Sequence, residues 1–123
     1  MQAEGEFDRL MGYRVLSAID GKSEVELDVR SSLKQRFGLL HGGAIATLVD
    51  FCMGSALYSV VEGRVVTAQM SINYIAPATE GKVKAHGIVR KHGGKMSFVE
   101  CTIEKENGDP IATGTGLYYK ITP

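Results

Sequence analysis

Apolar and polar positions along the chain divide it into elements of two periods. Gln2 to Met11 places Phe7, Leu10 and Met11 on one side and predicts a short amphipathic helix. Tyr13 to Ile19 and Lys22 to Val29 alternate as strands do, with Val25, Leu27 and Val29 sharing a face. Asp20-Gly21 between them is a two-residue hairpin signal, because a type I′ turn needs positive φ at both positions. Ser31 to Leu40 is polar and irregular. From Gly42 to Val61 nearly every residue is apolar or small, which predicts one long helix with Glu62-Gly63 as its stop. Val65 to Ala76, ended by Pro77, then reads as a strand. Gly81 to Lys91, Met96 to Glu106 and Ile111 to Thr122 follow, joined by His92-Gly93-Gly94 and Asn107-Gly108-Asp109. Turns this short make consecutive strands antiparallel. No repeat or linker interrupts the order, so residues 1–123 are expected to form one α+β domain. Its expected architecture is a curved antiparallel sheet of about six strands wrapped around one long central helix.

The 42–61 segment is long enough to be weighed as a membrane span. Asp50 near its middle makes insertion costly, by roughly 2.5–3.5 kcal/mol. The half-polar strands on both sides also need a helix to cover their apolar faces, so a buried central helix is the reading adopted. Helical spacing gives it two faces. Ile45, Leu48, Val49, Cys52, Ala56 and Val60 form a bulky stripe for the sheet. Gly43, Ala46, Thr47, Asp50, Met53 and Gly54 form a face of mostly small residues, open to a ligand or a second helix.

Composition narrows the function. The 14 Lys+Arg balance the 14 Asp+Glu, which argues against a nucleic-acid partner. Two Cys make no disulfide framework, and the acidic stretch Met1 to Met11 lacks the apolar core of a signal peptide, so a reducing, cytoplasmic location is expected. The 15 Gly exceed ordinary usage, about 12% against ~7%, and must therefore serve particular places. Gly21, Gly93, Gly94 and Gly108 suit turns. Gly42, Gly43 and Gly54 suit close approach by a ligand or a neighbouring helix.

Asp50 is the chemical candidate. Read alone, it is either a hydrogen-bonded partial-core carboxylate, held by Thr47 or a loop amide, or a general base made more basic by desolvation. Leu40-His41-Gly42-Gly43 opens the helix and leaves unpaired amides at the positive end of its dipole, where a carbonyl could be polarised. Plain helix capping is the alternative, and His92-Gly93-Gly94 shows the same letters in a hairpin. Gly42 and Asp50 are eight residues apart, about 12 Å along a helix. One small reacting centre could therefore use both only if two copies pair antiparallel, giving twofold-related sites.

The run Gln35-Arg36-Phe37-Gly38-Leu39-Leu40-His41-Gly42-Gly43-Ala44-Ile45-Ala46-Thr47-Leu48-Val49-Asp50 resembles the helix signature of hotdog-fold acyl-CoA thioesterases of the phenylacetate-pathway (PaaI-like) type. The looser Met70-Ser71-Ile72-Asn73-Tyr74-Ile75-Ala76-Pro77-Ala78 extends the resemblance, which covers most of the chain from about residue 13. It implies a thioester hydrolase in which Asp50 is general base or nucleophile and Gly42 polarises the carbonyl from the partner subunit. His41 and Gln35 would lie near the thioester, and Thr67 would orient the attacking water. Many members carry Arg directly after the hairpin glycine, where Lys95 stands here. Arg90, Lys91 and Lys95 are the cations that could meet the phosphates of coenzyme A; a solvated turn is the plainer reading of the same cluster. Met53, Leu57, Tyr58 and Tyr74 are expected to set the width of the acyl pocket.

The resemblance implies acyl-CoA as substrate, self-association as a homodimer or homotetramer, and no cofactor beyond the coenzyme A of the substrate. His41, His86, His92 and two distant Cys have no metal-ligand spacing. The alternative function is a non-catalytic acyl-CoA sensor on the same fold. A hotdog hydratase is disfavoured by the Asp50 position.

Overall fold

The computed structural model describes residues 5–121. In chain order the elements are α1 (Glu6–Met11), β1 (Arg14–Ile19), β2 (Lys22–Asp28), a single 3-10 turn (Ser31–Leu33), α2 (Gly42–Tyr58), β3 (Val65–Tyr74), β4 (Lys82–Lys91), β5 (Met96–Lys105) and β6 (Pro110–Lys120). The strands form one antiparallel sheet in the order β1-β2-β4-β5-β6-β3, curved but open, with β1 and β3 as its edges. The chain therefore leaves the sheet after β2, crosses it as α2 and re-enters at the far edge as β3. No helix among the described residues is long and apolar enough to cross a membrane.

Alternation along the central strands sends one set of side chains under α2 and the other to water, as a one-sided antiparallel sheet requires. Val25, Leu27, Val83, Val99, Ile103 and Ile111 are buried beneath Leu48, Val49, Met53 and Leu57 of the helix. The opposite face is polar: His86 lies between Glu24 and Glu104, at 3.5 and 3.0 Å, and Lys84 approaches Glu24 at 3.7 Å. The hairpin expected at Asp20-Gly21 forms, with φ of 54° and 78° at the two residues.

Three strand glycines set how close the helix comes. A Cβ at Gly114 would stand 2.6 Å from Val49 Cγ1, and one at Gly116 would stand 2.8 Å from Met53 Cε. A Cβ at Gly87 would meet Ser23 Oγ at 2.6 Å and the Cys52 carbonyl oxygen at 3.0 Å. Ser23 Oγ uses that space to donate a 2.6 Å hydrogen bond to the Cys52 carbonyl, tying β2 to the middle of α2. Part of the glycine excess is thus close packing inside strands, beyond the turns and ligand approach expected from the sequence.

Several boundaries differ from expectation. α2 stops at Tyr58 rather than Val61, and Gly63 (φ 89°) lies in the connection that follows. The stop comes from Ser59, whose hydroxyl donates to the Ala56 carbonyl at 2.6 Å and accepts the Gly21 N–H at 2.8 Å. β3 ends at Tyr74 because the Ile75 and Ala76 amides both turn to the Ile111 carbonyl. The amino-terminal helix begins at Glu6; the Gln2–Glu4 part of the expected helix lies outside the described residues. Met53 is the clearest correction. It is fully buried against Gly116, so it belongs to the sheet-facing side of α2 and not to the small-residue face. Leu57 is likewise fully buried.

The glycine contact has a measurable consequence. Gly114→Ala is expected to lower unfolding free energy by about 1–3 kcal/mol, because Val49 must shift in a packed core. Gly94→Ala, where nothing lies within 4 Å of the added carbon, is expected to change it little. Denaturant unfolding of both variants against the parent measures the difference.

Candidate active site

Asp50 sits in the middle of α2, half-buried, where the helix passes under the β3–β6 edge of the sheet. Neither Thr47 nor a loop amide holds it. Thr47 Oγ1 instead donates back to the Gly43 carbonyl at 2.7 Å. Asp50 Oδ1 accepts two hydroxyl donors, Thr67 Oγ1 at 2.8 Å and the Tyr118 OH at 2.7 Å. The Tyr118 OH also lies 3.1 Å from the Asp50 carbonyl oxygen. Asp50 Oδ2 has no hydrogen-bond partner among the described residues.

Strand pairing explains why both hydroxyls arrive together. Thr67 and Tyr118 are direct cross-strand partners in the β3–β6 ladder. The register then shifts between Thr67 and Gln69, so Ala68 is an extra residue on β3. This bulge changes which residues face the helix: Val65 and Thr67 before it, and the half-buried Met70 and Ile72 after it. Strict alternation along Val65 to Ala76 could not give both. Tyr118 is 3% exposed, and burial, reinforced by the neighbouring Asp50 charge, pushes its phenol far above the ordinary tyrosine range. It is therefore a neutral hydrogen-bond donor at any working pH.

Beside this group lies a cavity of about 350 Å³. Asp50, Thr67 and Tyr118 form one part of its wall, and Phe51, Tyr58 and Val65 supply an apolar part. Gly54 opens the helix side, having nothing within 4 Å of where a Cβ would stand. Phe7 and Asp8 of α1 close another side. Met53, Leu57 and Tyr74 do not line it. Tyr74 lies over the helix start, its OH donating to the Gly42 carbonyl at 2.9 Å.

The helix start is arranged around His41, the N-cap residue of α2. Its Nδ1 accepts the Gly43 N–H at 2.8 Å, which makes Nε2 the protonated nitrogen of the neutral ring. The Gly42 N–H has no hydrogen-bond partner among the described residues, so one amide of the first turn remains available. Gln35 Oε1 accepts the amides of Phe37 and Leu39 and thereby shapes the loop leading into His41. At the β4–β5 turn, Lys91 and Lys95 are exposed, whereas Arg90 Nε is paired with Glu100 Oε1 at 2.5 Å. One chain thus brings Asp50 and Thr67 together, and separately brings Gln35, His41, Gly42 and Gly43 together. It does not bring the two groups onto one reacting centre, and the basic turn is a third location.

The sequence profile of the thioesterase superfamily matches residues 37–112, more than half of the chain. The chain belongs to this superfamily. Human acyl-coenzyme A thioesterase 13 is 35% identical over 114 residues, covering 88% of this chain and 80% of that protein. Rat acyl-coenzyme A thioesterase THEM4 is 36% identical over 88 residues, covering 70% of this chain; the match spans only 37% of that relative's length. The PaaI protein from the phenylacetic acid degradation operon of Escherichia coli shares the fold, with a TM-score of 0.89 at 20% identity over 95% of this chain and 85% of that one. The hotdog architecture and the PaaI-like resemblance expected from the helix signature are both borne out.

In this superfamily member, sequence reasoning missed Tyr118. The only signal was its inward phase on a strand of alternating residues, which every core tyrosine shares. It also missed the stacking of Tyr13 on Phe51, ring centroids 4.2 Å apart, which fixes the helix flank next to Asp50. The cap contact gives the test for the helix start. His41→Ala is expected to destabilise the protein by about 1 kcal/mol, whereas His41→Asn retains a side-chain acceptor and most of that stability. Equilibrium unfolding of the two variants separates these outcomes.

Proposed function

We propose that the chain hydrolyses the thioester of acyl-coenzyme A at sites formed where two copies meet. The observation that carries this reading is Asp50: one oxygen is held by two hydroxyls and the other has no partner among the described residues, beside a partly apolar cavity. The names of the acyl-coenzyme A thioesterase relatives support the substrate class.

In this reading Oδ2 accepts a proton from water as the water oxygen bonds to the carbonyl carbon, or itself bonds to that carbon to give an anhydride that water opens. The displaced electron pair moves to the carbonyl oxygen, where the Gly42 N–H of the second copy stabilises it with the positive end of the α2 dipole. The carbon–sulfur bond then breaks, and the thiolate takes up a proton, leaving a free acid and the coenzyme A thiol. Thr67 Oγ1, whose proton goes to Asp50 Oδ1, orients the attacking water by accepting from it, and His41 and Gln35 hold the helix start in place for Gly42. Lys91 and Lys95, exposed at the turn, offer charge to the coenzyme A phosphates, a role for which Arg90 is less free.

The second copy is required because Gly42 and Asp50 are separated by about 12 Å of helix. The β3 edge favours such pairing: it is a ten-residue strand with one unpaired side, and Val66, Tyr74 and Ile75 are exposed on or beside it. A homodimer is the smallest assembly that completes the site, and a homotetramer pairs two such dimers. Two free buried cysteines fit a cytoplasmic, reducing location.

Thiol release over a panel of acyl-coenzyme A substrates is the test. Asp50→Asn is expected to lose nearly all turnover with an unchanged unfolding midpoint, and retained turnover overturns the reading. Substrate binding without thiol release by the parent protein assigns it instead as an acyl-CoA sensor. Specific activity is also expected to fall on dilution in step with dissociation measured by light scattering. Full activity of a monomer would sink the shared site.

A further inference from the structure

Tyr118 lies outside every motif that marks this site in the sequence, yet it makes the shorter of the two hydrogen bonds to Asp50. We infer that Tyr118 is a positioning residue, which together with Thr67 anchors Asp50 Oδ1 and so selects Oδ2 as the oxygen presented to the substrate. This assignment rests on the catalytic reading of Asp50.

A free aspartate gives no such selection. Its two oxygens are chemically equivalent, and the terminal torsion is broad and roughly two-fold, so either oxygen could face the reacting carbon. Two donors on one oxygen remove that degeneracy. Those donors are themselves fixed. Thr67 and Tyr118 stand opposite each other in a hydrogen-bonded ladder, and the bulge after Thr67 belongs to the same pairing. The Tyr118 ring lies over Gly116, two residues earlier on its strand, where a Cβ would stand 3.0 Å from Tyr118 Cε1. The single hydroxyl proton goes mainly to Asp50 Oδ1 at 2.7 Å, with the Asp50 carbonyl oxygen at 3.1 Å as a weaker, shared acceptor. Because the phenol stays neutral, it donates and does not compete with Asp50 for a proton. A site held within a fraction of an ångström by rigid neighbouring strands is what efficient attack on a carbonyl needs.

The alternative role is structural, a buried hydroxyl that merely finds an acceptor. Kinetics on the full chain distinguish the two. Tyr118→Phe keeps the ring and removes the donor. The expected result is a kcat roughly ten- to a hundredfold lower, the range of losing one hydrogen bond to a charged group, with KM nearly unchanged. Thr67→Val is expected to act in the same direction. Where Tyr118→Phe does not fold, fluorinated tyrosine at position 118 keeps the shape and alters only donor strength; kcat is then expected to change with fluorine number while KM stays constant. An unchanged kcat in the folded Phe variant or across the fluorotyrosine series overturns the assignment, as does a change confined to KM or stability. Asp50→Asn measured in parallel separates the two levels. Turnover retained there overturns the catalytic reading, whereas an inactive Asp50→Asn beside a fully active Tyr118→Phe overturns the role of Tyr118 alone.

Discussion

The rest of the molecule depends on how closely α2 can lie on the sheet. Gly87, Gly114 and Gly116 sit under Cys52, Val49 and Met53, and any side chain there would lift the helix by occupying the space its own residues fill. Close approach brings the Cys52 carbonyl within reach of Ser23 Oγ, and it lets Met53 be buried completely. It also sets the height of Asp50 above β3 and β6. A helix riding higher on a thicker layer would carry its carboxylate away from Thr67 and Tyr118. The packing that stabilises the domain is thus the packing that builds the candidate site.

The site follows a division of labour between rigid and open surfaces. Its rigid half is the pair of hydroxyls on adjacent strands, in register and behind the carboxylate. Its open half is the cavity in front, where Gly54 leaves space and Phe51, held by Tyr13, forms part of the wall. The helix start is prepared in a parallel way. His41 takes up the Gly43 amide, Tyr74 takes up the Gly42 carbonyl, and the Gly42 amide has no partner among the described residues. Eight residues of helix separate the two halves within one chain, and in the proposed reading a second copy pairing along the β3 edge supplies the missing half.

Much of the fold was legible in the sequence because its signals are local. The Asp20-Gly21 turn forced a hairpin, the long apolar run between Gly42 and Val61 forced a helix, and short turns fixed the antiparallel neighbours among β4, β5 and β6. Asp50 stood out as the one charge in that helix, and the resemblance added Thr67 by position. Where the reading failed, the cause was non-local. Met53 was assigned to the small-residue face from helical spacing alone, but the space beneath it is decided by Gly116 on a distant strand. The helix ended at Tyr58 because Ser59 bonds to the β1–β2 turn, a contact absent from local sequence.

By itself, then, the sequence determined the elements, their order, the placement of one carboxylate in a buried helix and a glycine-rich start to that helix. These follow from periodicity and from the backbone preferences of single residues. The tertiary structure alone decided that β3 joins the sheet beside β6, and that a bulge at Ala68 turns Thr67 toward the helix opposite Tyr118. Strand order and register depend on which side chains pack across the sheet and under α2, and no stretch of neighbouring residues encodes that. The identity of the second hydroxyl on Asp50 is therefore a property of the folded chain.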